Sequence, residues 1–165
     1  MTLRGKMVAS SAVENHVYKV FPNDLNSNGT VFGGLVMSIL DRITLIVAER
    51  HSGQICVTAS VDALHFLSPA KMGDILLCHA AINRTWTSSM EVGVKVVTEH
   101  FRTREQRHLV SAYFTYVALD ENNKPTPVPP ILPKSEAEKR RYEEAGRRRE
   151  VRRREAELRG PHNSN

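Results

Sequence analysis

Apolar positions along this chain form one long continuous block, followed by several alternating segments. The block, Leu35 to Ala48, is apolar on nearly every side of a helical wheel, which is typical of a helix buried all round. The pair Gly33 and Gly34 precedes it, and His51-Ser52-Gly53 supplies a cation and a glycine where a helix ends. The pattern predicts a buried helix from about Gly33 to Arg50.

Strand-like segments flank this helix. A short first strand is predicted at Val17 to Phe21, and turn-forming links separate the later ones. Glu91 to Val97 alternates loosely between polar and apolar residues, as a half-buried strand does. The later segments are Ile55 to Phe66, Asp74 to Thr85, Met90 to Thr98 and His108 to Leu119. This order predicts an α+β fold in which a curved antiparallel sheet of five to six strands wraps one long central helix.

The C-terminal part has a different composition. Five prolines between Pro125 and Pro133 predict an extended strap, since proline is excluded from helix interiors. Beyond the strap, Ser135 and Glu138 have the spacing of a capping box, which predicts a solvated helix. We therefore expect a domain over residues 1–133 and a charged helical tail over residues 134–165.

Charge and cysteine usage refine this picture. The 165-residue chain has a formal net charge of +5, and residues 134–159 hold eleven basic and seven acidic side chains, so most of the excess lies in the tail. No apolar run is long enough to span a membrane, and no secretory leader is indicated. Cys56 and Cys78 lie in apolar segments, which favours reduced core thiols in a cytoplasmic protein.

Candidate chemistry centres on Asp41, a carboxylate inside the apolar helix. Burying an ionised carboxylate is costly without partners, so we expect either a functional acid or a structural acid paired with Arg42 or another cation. Gly33 and Gly34 would expose backbone amides at a helix start, although a tight turn also explains them. Asn26, in the preceding turn, has an equally simple structural explanation as a turn residue.

Four segments together resemble the hotdog-fold acyl-CoA thioesterases, in the branch of the bacterial YciA-like enzymes and the mammalian brain-type acyl-CoA hydrolase. They are the run Asp24 to Gly34, the helix with Asp41, Val57 to Phe66, and Ser111 to Val117. The resemblance covers residues 12 to 145. It implies a helix wrapped by a curved sheet, homodimers joined edge to edge, and often hexamers built as trimers of dimers.

The resemblance also implies an activity, the hydrolysis of fatty acyl-CoA to a fatty acid and coenzyme A, with no cofactor beyond the coenzyme A of the substrate. Asp41 matches the family's general base or nucleophile. Asn26 matches an asparagine contributed by the opposite subunit, and Gly33 and Gly34 match the glycines whose amides lie near the thioester carbonyl. One departure is the sequence after the aspartate, which here begins with Arg42 instead of Glu or Met.

Two further groups are candidates for contacting the substrate. The first group lies at a hairpin link and consists of Arg84, Thr85, Ser88 and Ser89. It offers a cation and hydroxyls to the phosphates or amides of coenzyme A, although a polar loop explains it equally well. The second group lies at a strand end near the expected pocket, where His65 offers an imidazole and Phe66 an aromatic ring. The histidines lack the spacing of metal ligands, so we predict no metal site.

Two alternative functions remain. A hotdog hydratase or dehydratase would place a histidine near the helix, and none lies between Val17 and Arg50. A non-catalytic nucleic-acid-binding protein would use Arg147 to Arg149 and Arg152 to Arg154, but acids are interleaved and no aromatic platform accompanies them. We therefore expect an acyl-CoA substrate and a homo-oligomer, without a membrane or nucleic-acid partner.

Overall fold

The computed structural model describes residues 3–159 of the chain. Neither helix in this range is long and apolar enough to cross a membrane. Short 3₁₀ turns lie at Val8–Ser10 and Pro22–Asp24. The helices are α1 (Gly33–Ser52) and α2 (Glu136–Arg159), and the strands are β1 (Lys6–Met7), β2 (Val13–Lys19), β3 (Ile55–Val61), β4 (His65–Phe66), β5 (Ile75–Thr85), β6 (Ser89–Glu99), β7 (Gln106–Leu119) and β8 (Ile131–Leu132).

Six of the strands form an antiparallel sheet in the order β2-β5-β6-β7-β3, with β4 also paired to β7. Side chains of one sheet face, including Val92, Phe114 and Tyr116, are buried in the core beneath α1. The two remaining strands, β1 and β8, form a small parallel pair. The predicted arrangement of one long helix on an antiparallel sheet of five to six strands is confirmed.

Helix α1 ends at Ser52, two residues beyond the predicted Arg50, and the predicted glycine stop is confirmed, because Gly53 adopts the left-handed conformation and its N–H donates to the Glu49 carbonyl. The prediction that α1 is buried all round is wrong for the single chain. The face with Leu40 and Val47 packs on the sheet, whereas Met37 and Ile46, which project from opposite flanks of the helix, are 47% and 43% exposed. The sheet covers one side of α1 only, so part of its apolar surface remains open.

The predicted strand from Ile55 to Phe66 is divided into β3 and β4. Val61 pairs with Phe114, and His65 pairs with Ser111, so four steps along this segment lie opposite three steps along β7. The one extra residue is a bulge in the link 62–64, and a bulge interrupts pairing and bends a strand. The first strand also differs, since β2 begins at Val13 and ends before the turn at Pro22.

The predicted capping box at the start of α2 is confirmed. The Glu138 N–H donates to Ser135 Oγ at 3.2 Å, and the Ser135 N–H donates to Glu138 Oε2 at 3.0 Å. The helix is not free in solvent, however, since Ala145 is fully buried and Arg148 binds Glu91 of β6. Thus α2 covers the sheet face opposite α1. The described part of the expected tail ends at Arg159.

Cys56 and Cys78 are free and buried in the core, which confirms the prediction that they are core thiols. Burial raises the pKa of the Cys78 thiol to about 11. The uncharged thiol therefore predominates at neutral pH, which suits a packing residue better than a nucleophile.

His51, in the last turn of α1, ties the helix to the proline strap. Its side chain is fully buried, and Nε2 donates to the Pro129 carbonyl at 2.8 Å. Nδ1 has no hydrogen-bond partner within residues 3–159. Burial lowers the pKa of His51, because a second ring proton would be placed on Nδ1 without an acceptor.

The low pKa of His51 predicts a loss of stability in acid. As the pH decreases below about 6.5, the ordinary pKa of histidine, the unfolded chain gains a proton at this position before the folded chain does. The free energy of unfolding therefore decreases as the pH decreases. We expect His51→Gln to weaken this dependence when urea midpoints are compared from about pH 8 to about pH 5.5. The exposed His16 provides the matched control His16→Gln, which should keep the wild-type slope. Equal slopes for all three proteins would contradict the prediction.

Candidate active site

Asp41 lies near the middle of α1, on the side that the sheet leaves open, and its side chain is half-buried. One carboxylate oxygen, Oδ1, accepts two hydrogen bonds. Thr58 Oγ1 of β3 donates at 2.8 Å, and the Tyr116 hydroxyl of β7 donates at 3.0 Å. Within the described residues, no hydrogen bond is made to the other oxygen, Oδ2. The side chain is therefore fixed through one oxygen and has the other free to accept a proton.

Tyr116 is fully buried, and its hydroxyl joins α1 to β7 at several points. Besides Asp41 Oδ1, the hydroxyl lies 2.9 Å from the Asp41 carbonyl and 2.9 Å from Thr44 Oγ1. Burial raises the pKa of Tyr116 to about 12, and the Asp41 carboxylate adds to the increase. Tyr116 therefore keeps its proton at neutral pH and remains a hydrogen-bond donor to the acid.

These contacts differ from the sequence-based picture of a deeply buried acid. Asp41 is only half-buried because its side of α1 is open, and its charge is stabilised by hydroxyl groups. Arg42 is exposed, and no ion pair joins it to Asp41 within residues 3–159. Thr58 and Tyr116 were not among the predicted site residues. The sequence signal for them was a hydroxyl-bearing residue on a strand that faces an apolar helix. Strand alternation alone does not reveal which of these hydroxyls reach the acid.

A second part of the candidate site is a cavity of about 430 Å³ at the start of α1, lined by Asn26, Gly33, Phe66 and Ser68 among others. Gly33 lies close to the Phe66 ring, since a Cβ added at Gly33 would be 3.5 Å from the ring atoms. The N-cap residue Phe32 makes no side-chain capping bond. The first N–H groups of α1 therefore remain available to an acceptor, and the helix dipole favours a negatively charged one.

Asn26 forms the turn that the sequence suggested as its structural role. Its Oδ1 accepts the backbone N–H groups of Asn28 and Thr30 at 2.9 and 3.3 Å, and its Nδ2 lies 3.0 Å from Thr30 Oγ1. These bonds fix the orientation of the amide. The side-chain NH₂ has a second proton, which can donate to a group in the cavity.

The two parts of the site are separated within one chain. Asp41 follows Gly33 by eight residues, which corresponds to about 12 Å along an α-helix. Asp41 is also absent from the residues that line the cavity with Asn26 and Gly33. A single chain therefore does not bring the carboxylate and the helix-start amides to one reacting carbon.

The hairpin-link residues suggested for coenzyme A have partners elsewhere in the fold. The Arg84 guanidinium lies 4.2 Å from the centre of the Tyr142 ring of α2. Thr85 Oγ1 accepts the Ile131 N–H at 3.0 Å, Ser89 Oγ accepts a bond from Arg149 at 3.3 Å, and the Ser88 carbonyl accepts the Ala118 N–H at 2.9 Å. Their role in binding coenzyme A stays a prediction, as does that of the exposed His65.

Metal chemistry has no visible site in residues 3–159, since no cluster of three or more histidine, cysteine, aspartate or glutamate side chains there could hold an ion. The chemistry available to the described site is proton transfer at Asp41 and hydrogen bonding at the helix start.

The chain has clear relatives among known proteins. Residues 28–103 match the family model of the thioesterase superfamily. Over 120 residues the chain is 44% identical to the uncharacterized acyl-CoA thioester hydrolase YkhA of Bacillus subtilis, an alignment that covers 73% of this chain and 70% of YkhA.

Solved structures agree with this similarity. A hexameric acyl-CoA thioesterase superposes with a TM-score of 0.90 at 38% identity, covering 93% of this chain and 98% of that chain. An acyl-CoA hydrolase from Staphylococcus aureus, solved with butyryl coenzyme A, coenzyme A and coenzyme A disulfide, has a TM-score of 0.85 at 38% identity, covering 93% and 94%. The same enzyme has also been solved with an aspartate, an asparagine or a threonine replaced by alanine.

Proposed function

The chain belongs to the thioesterase superfamily, and we propose that it is an acyl-CoA hydrolase that converts fatty acyl-CoA to a free fatty acid and coenzyme A. The observation that carries this proposal is the Asp41 carboxylate, held through Oδ1 by Thr58 and Tyr116 with Oδ2 free. Coenzyme A enters as part of the substrate, and the chemistry calls for no separate cofactor. Both cysteines are free, which suits a reducing compartment, so we keep the cytoplasm as the proposed location.

In the proposed mechanism, Asp41 acts as a general base. Oδ2 takes a proton from a water molecule while the water oxygen attacks the thioester carbonyl carbon. The resulting oxyanion is stabilised by the N–H groups at the start of α1, at Gly33 and Gly34. The carbon–sulfur bond then breaks, and the protonated Asp41 returns the proton to the leaving thiolate of coenzyme A.

We propose that each active site is shared between two chains, because Asp41 and Gly33 of one chain are too far apart to act together. An antiparallel pair of α1 helices related by a two-fold axis near Met37 would place Asp41 of each copy opposite Gly33 of the other. Met37 lies midway between these residues and is 47% exposed. Asn26 would then act on the substrate from the subunit opposite Asp41.

The free edge of the sheet supports the same assembly. On β3, Ile55, Val57 and Val61 are 69%, 43% and 42% exposed, and an uncovered apolar edge strand favours pairing with another chain. We propose a homodimer joined at this edge and assembled further into a trimer of dimers, in line with the hexameric form of a solved relative.

The two alternative functions lose support. The relatives are named as hydrolases, which favours hydrolysis over hydration of an acyl thioester. Arg148 and Arg152 of the two arginine triplets bind Glu91, and the Arg149 guanidinium lies 4.3 Å from the centre of the Trp86 ring. These internal contacts occupy much of the charge that a nucleic-acid site would use.

The proposed base predicts the effect of Asp41→Asn. The amide keeps the shape of the side chain but is a very weak base, so we expect kcat to fall about 100- to 10,000-fold. Thiol release from acyl-CoA substrates of several chain lengths measures the activity, and circular dichroism and sedimentation check the fold and assembly. Full activity in a correctly assembled variant would overturn the mechanism.

An isotope experiment separates a general base from a nucleophile whose anhydride is hydrolysed at the aspartyl carbonyl. In ¹⁸O-labelled water, a general base places the label in the fatty acid during the first turnover. Direct attack by Asp41 forms an anhydride, and water that then attacks the aspartyl carbonyl leaves the label on Asp41 and none in the first fatty acid released. We expect labelled fatty acid in a single-turnover reaction, measured by mass spectrometry.

The two hydroxyl donors predict a second set of variants. Tyr116→Phe and Thr58→Val each remove one hydrogen bond to the Asp41 carboxylate, and a bond to a charged group contributes about 1.5–3 kcal/mol. We expect kcat to fall about 10-fold or more in each variant, with a smaller change in KM. Thr115→Val is the matched control, because Thr115 lies on the same strand and its buried hydroxyl has no partner among the described residues. A loss in the control as large as in Tyr116→Phe would contradict this role.

A shared site predicts complementation between inactive variants. Asp41→Asn and Asn26→Ala should each be inactive alone. When equal amounts of the two chains are mixed during refolding, half of the dimers contain both, and each of these has one intact site. We expect about a quarter of the wild-type activity. No recovery in verified mixed dimers would show that each site is built from one chain.

A further inference from the structure

Helix α2 covers a fully buried carboxylate on the sheet face opposite α1. Arg148 binds both oxygens of Glu91, with its Nη2 2.7 Å from Oε1, and Arg152 Nη2 lies 3.1 Å from Oε2. Asn83 Nδ2 also donates to Oε1 at 3.1 Å. Arg148 and Arg152 are four residues apart, so they project from the same face of the helix. Glu91 is thus fully compensated, and two cations are present where one would balance its charge.

The second cation connects Glu91 to another part of the chain. The Nη1 atom of Arg152 lies 2.6 Å from Asp62 Oδ2, while Nη2 binds Glu91. The Arg152 and Asp62 side chains are 20% and 18% exposed, so this ion pair is largely shielded from water. Because a guanidinium is planar and rigid, it holds the two carboxylates in a fixed relation to each other.

Asp62 is the first residue of the bulged link between β3 and β4. The bulge sets the register of β4, in which Phe66 pairs with Val110. Val110 is buried on the α1 side of the sheet, so Phe66 faces the same side. Without the extra residue, His65 would take the place opposite Val110, and Phe66 would turn to the outer face. The register of this short strand therefore decides which of two very different side chains enters the candidate site.

Phe66 is the residue by which the register of β4 affects the candidate site. Its ring lies against Gly33 at the start of α1 and lines the same cavity as Asn26. The end of this segment is held to β7 by the Leu67 N–H, which donates to the Leu109 carbonyl, and by Ser68 Oγ, which donates to the His108 carbonyl, so the contact at Asp62 is the one that holds its beginning.

We propose that Arg152 is a positioning residue for the active site: its bond to Asp62 holds the bulge before β4 and thereby keeps Phe66 against Gly33 in the cavity. The kinetic part of this inference rests on the proposed acyl-CoA hydrolysis. It gives the C-terminal helix a role in shaping the substrate cavity from the opposite face of the sheet.

Two variants test the inference by removing opposite partners of the ion pair. Asp62→Asn keeps the shape of the side chain without its charge, and Arg152→Gln leaves Glu91 with its bonds to Arg148. For both we expect kcat/KM for acyl-CoA to fall about 10-fold, because small displacements in an active site have large kinetic effects. Arg153→Gln, an exposed neighbour on the same helix, is the matched control and should retain wild-type kinetics.

A double-mutant cycle with Phe66→Leu distinguishes positioning from a general loss of stability. If Arg152 and Asp62 act through Phe66, Asp62→Asn should change kcat/KM less than about 2-fold in the Phe66→Leu background. Additive losses, with about 10-fold from Asp62→Asn in both backgrounds, would overturn the inference. Wild-type kinetics in both Asp62→Asn and Arg152→Gln would also overturn it.

Amide hydrogen exchange gives a readout that does not depend on activity. We expect peptides covering residues 62–68 to exchange faster in Asp62→Asn and Arg152→Gln than in the wild type, while peptides covering residues 13–19, in β2 at the other edge of the sheet, are unchanged. If the wild-type protein hydrolysed no acyl-CoA, the proposed function would fail, but this exchange pattern would still support the positioning role. Unchanged exchange in residues 62–68 would contradict it whatever the activity.

Discussion

The structure depends on the fact that α1 has apolar residues on two sides, while the sheet of its own chain covers one. The covered side, with Leu40 and Val47, forms the core. Outside it, the exposed Met37 and the half-buried Asp41 lie on one flank of the helix, and the exposed Ile46 lies on the other. Exposed apolar surface of this kind favours association. Burial of the helix, assembly of the protein and completion of the active site are consequently expected to be one process, because the surface that lacks a cover is the surface that holds the acid.

The acid itself is held by an arrangement of hydroxyl groups. Tyr116 is buried and keeps its proton because burial raises its pKa, while Thr58 reaches the same oxygen from the edge strand. Uncharged donors of this kind stabilise a carboxylate and fix its direction without neutralising it. An arginine in their place would form an ion pair and compete for the proton-accepting role of Asp41. The exposed position of Arg42 is consistent with this requirement.

On the opposite face of the sheet, a buried carboxylate is compensated by cations instead of hydroxyl groups. Glu91 is completely buried, and two arginines of α2 compensate its charge. Removing one partner of such a buried pair typically costs about 3–5 kcal/mol, so these bonds anchor the helix firmly. Arg152 extends the same network to Asp62 at the bulge before β4. A helix that looks like a solvated appendage from its composition is therefore an integral layer of the fold, and it contacts the link before β4, the strand whose Phe66 lines the cavity at the start of α1.

Local patterns in the sequence were sufficient to predict α1, its glycine end, the capping box at Ser135 and Glu138, and Asp41 as a candidate acid. These features depend on periodicity and on contacts between residues that are close along the chain. The partners of Asp41 and Glu91 were beyond such reasoning, since Tyr116 follows Asp41 by 75 residues and Arg148 follows Glu91 by 57. Strand register and sheet order bring these residues together, and a one-residue bulge decides whether His65 or Phe66 enters the cavity. The sequence determined which main elements form and pointed to Asp41 as the candidate acid, whereas only the tertiary structure decided which residues each of them contacts, because long-range contacts depend on register and packing that no local pattern encodes.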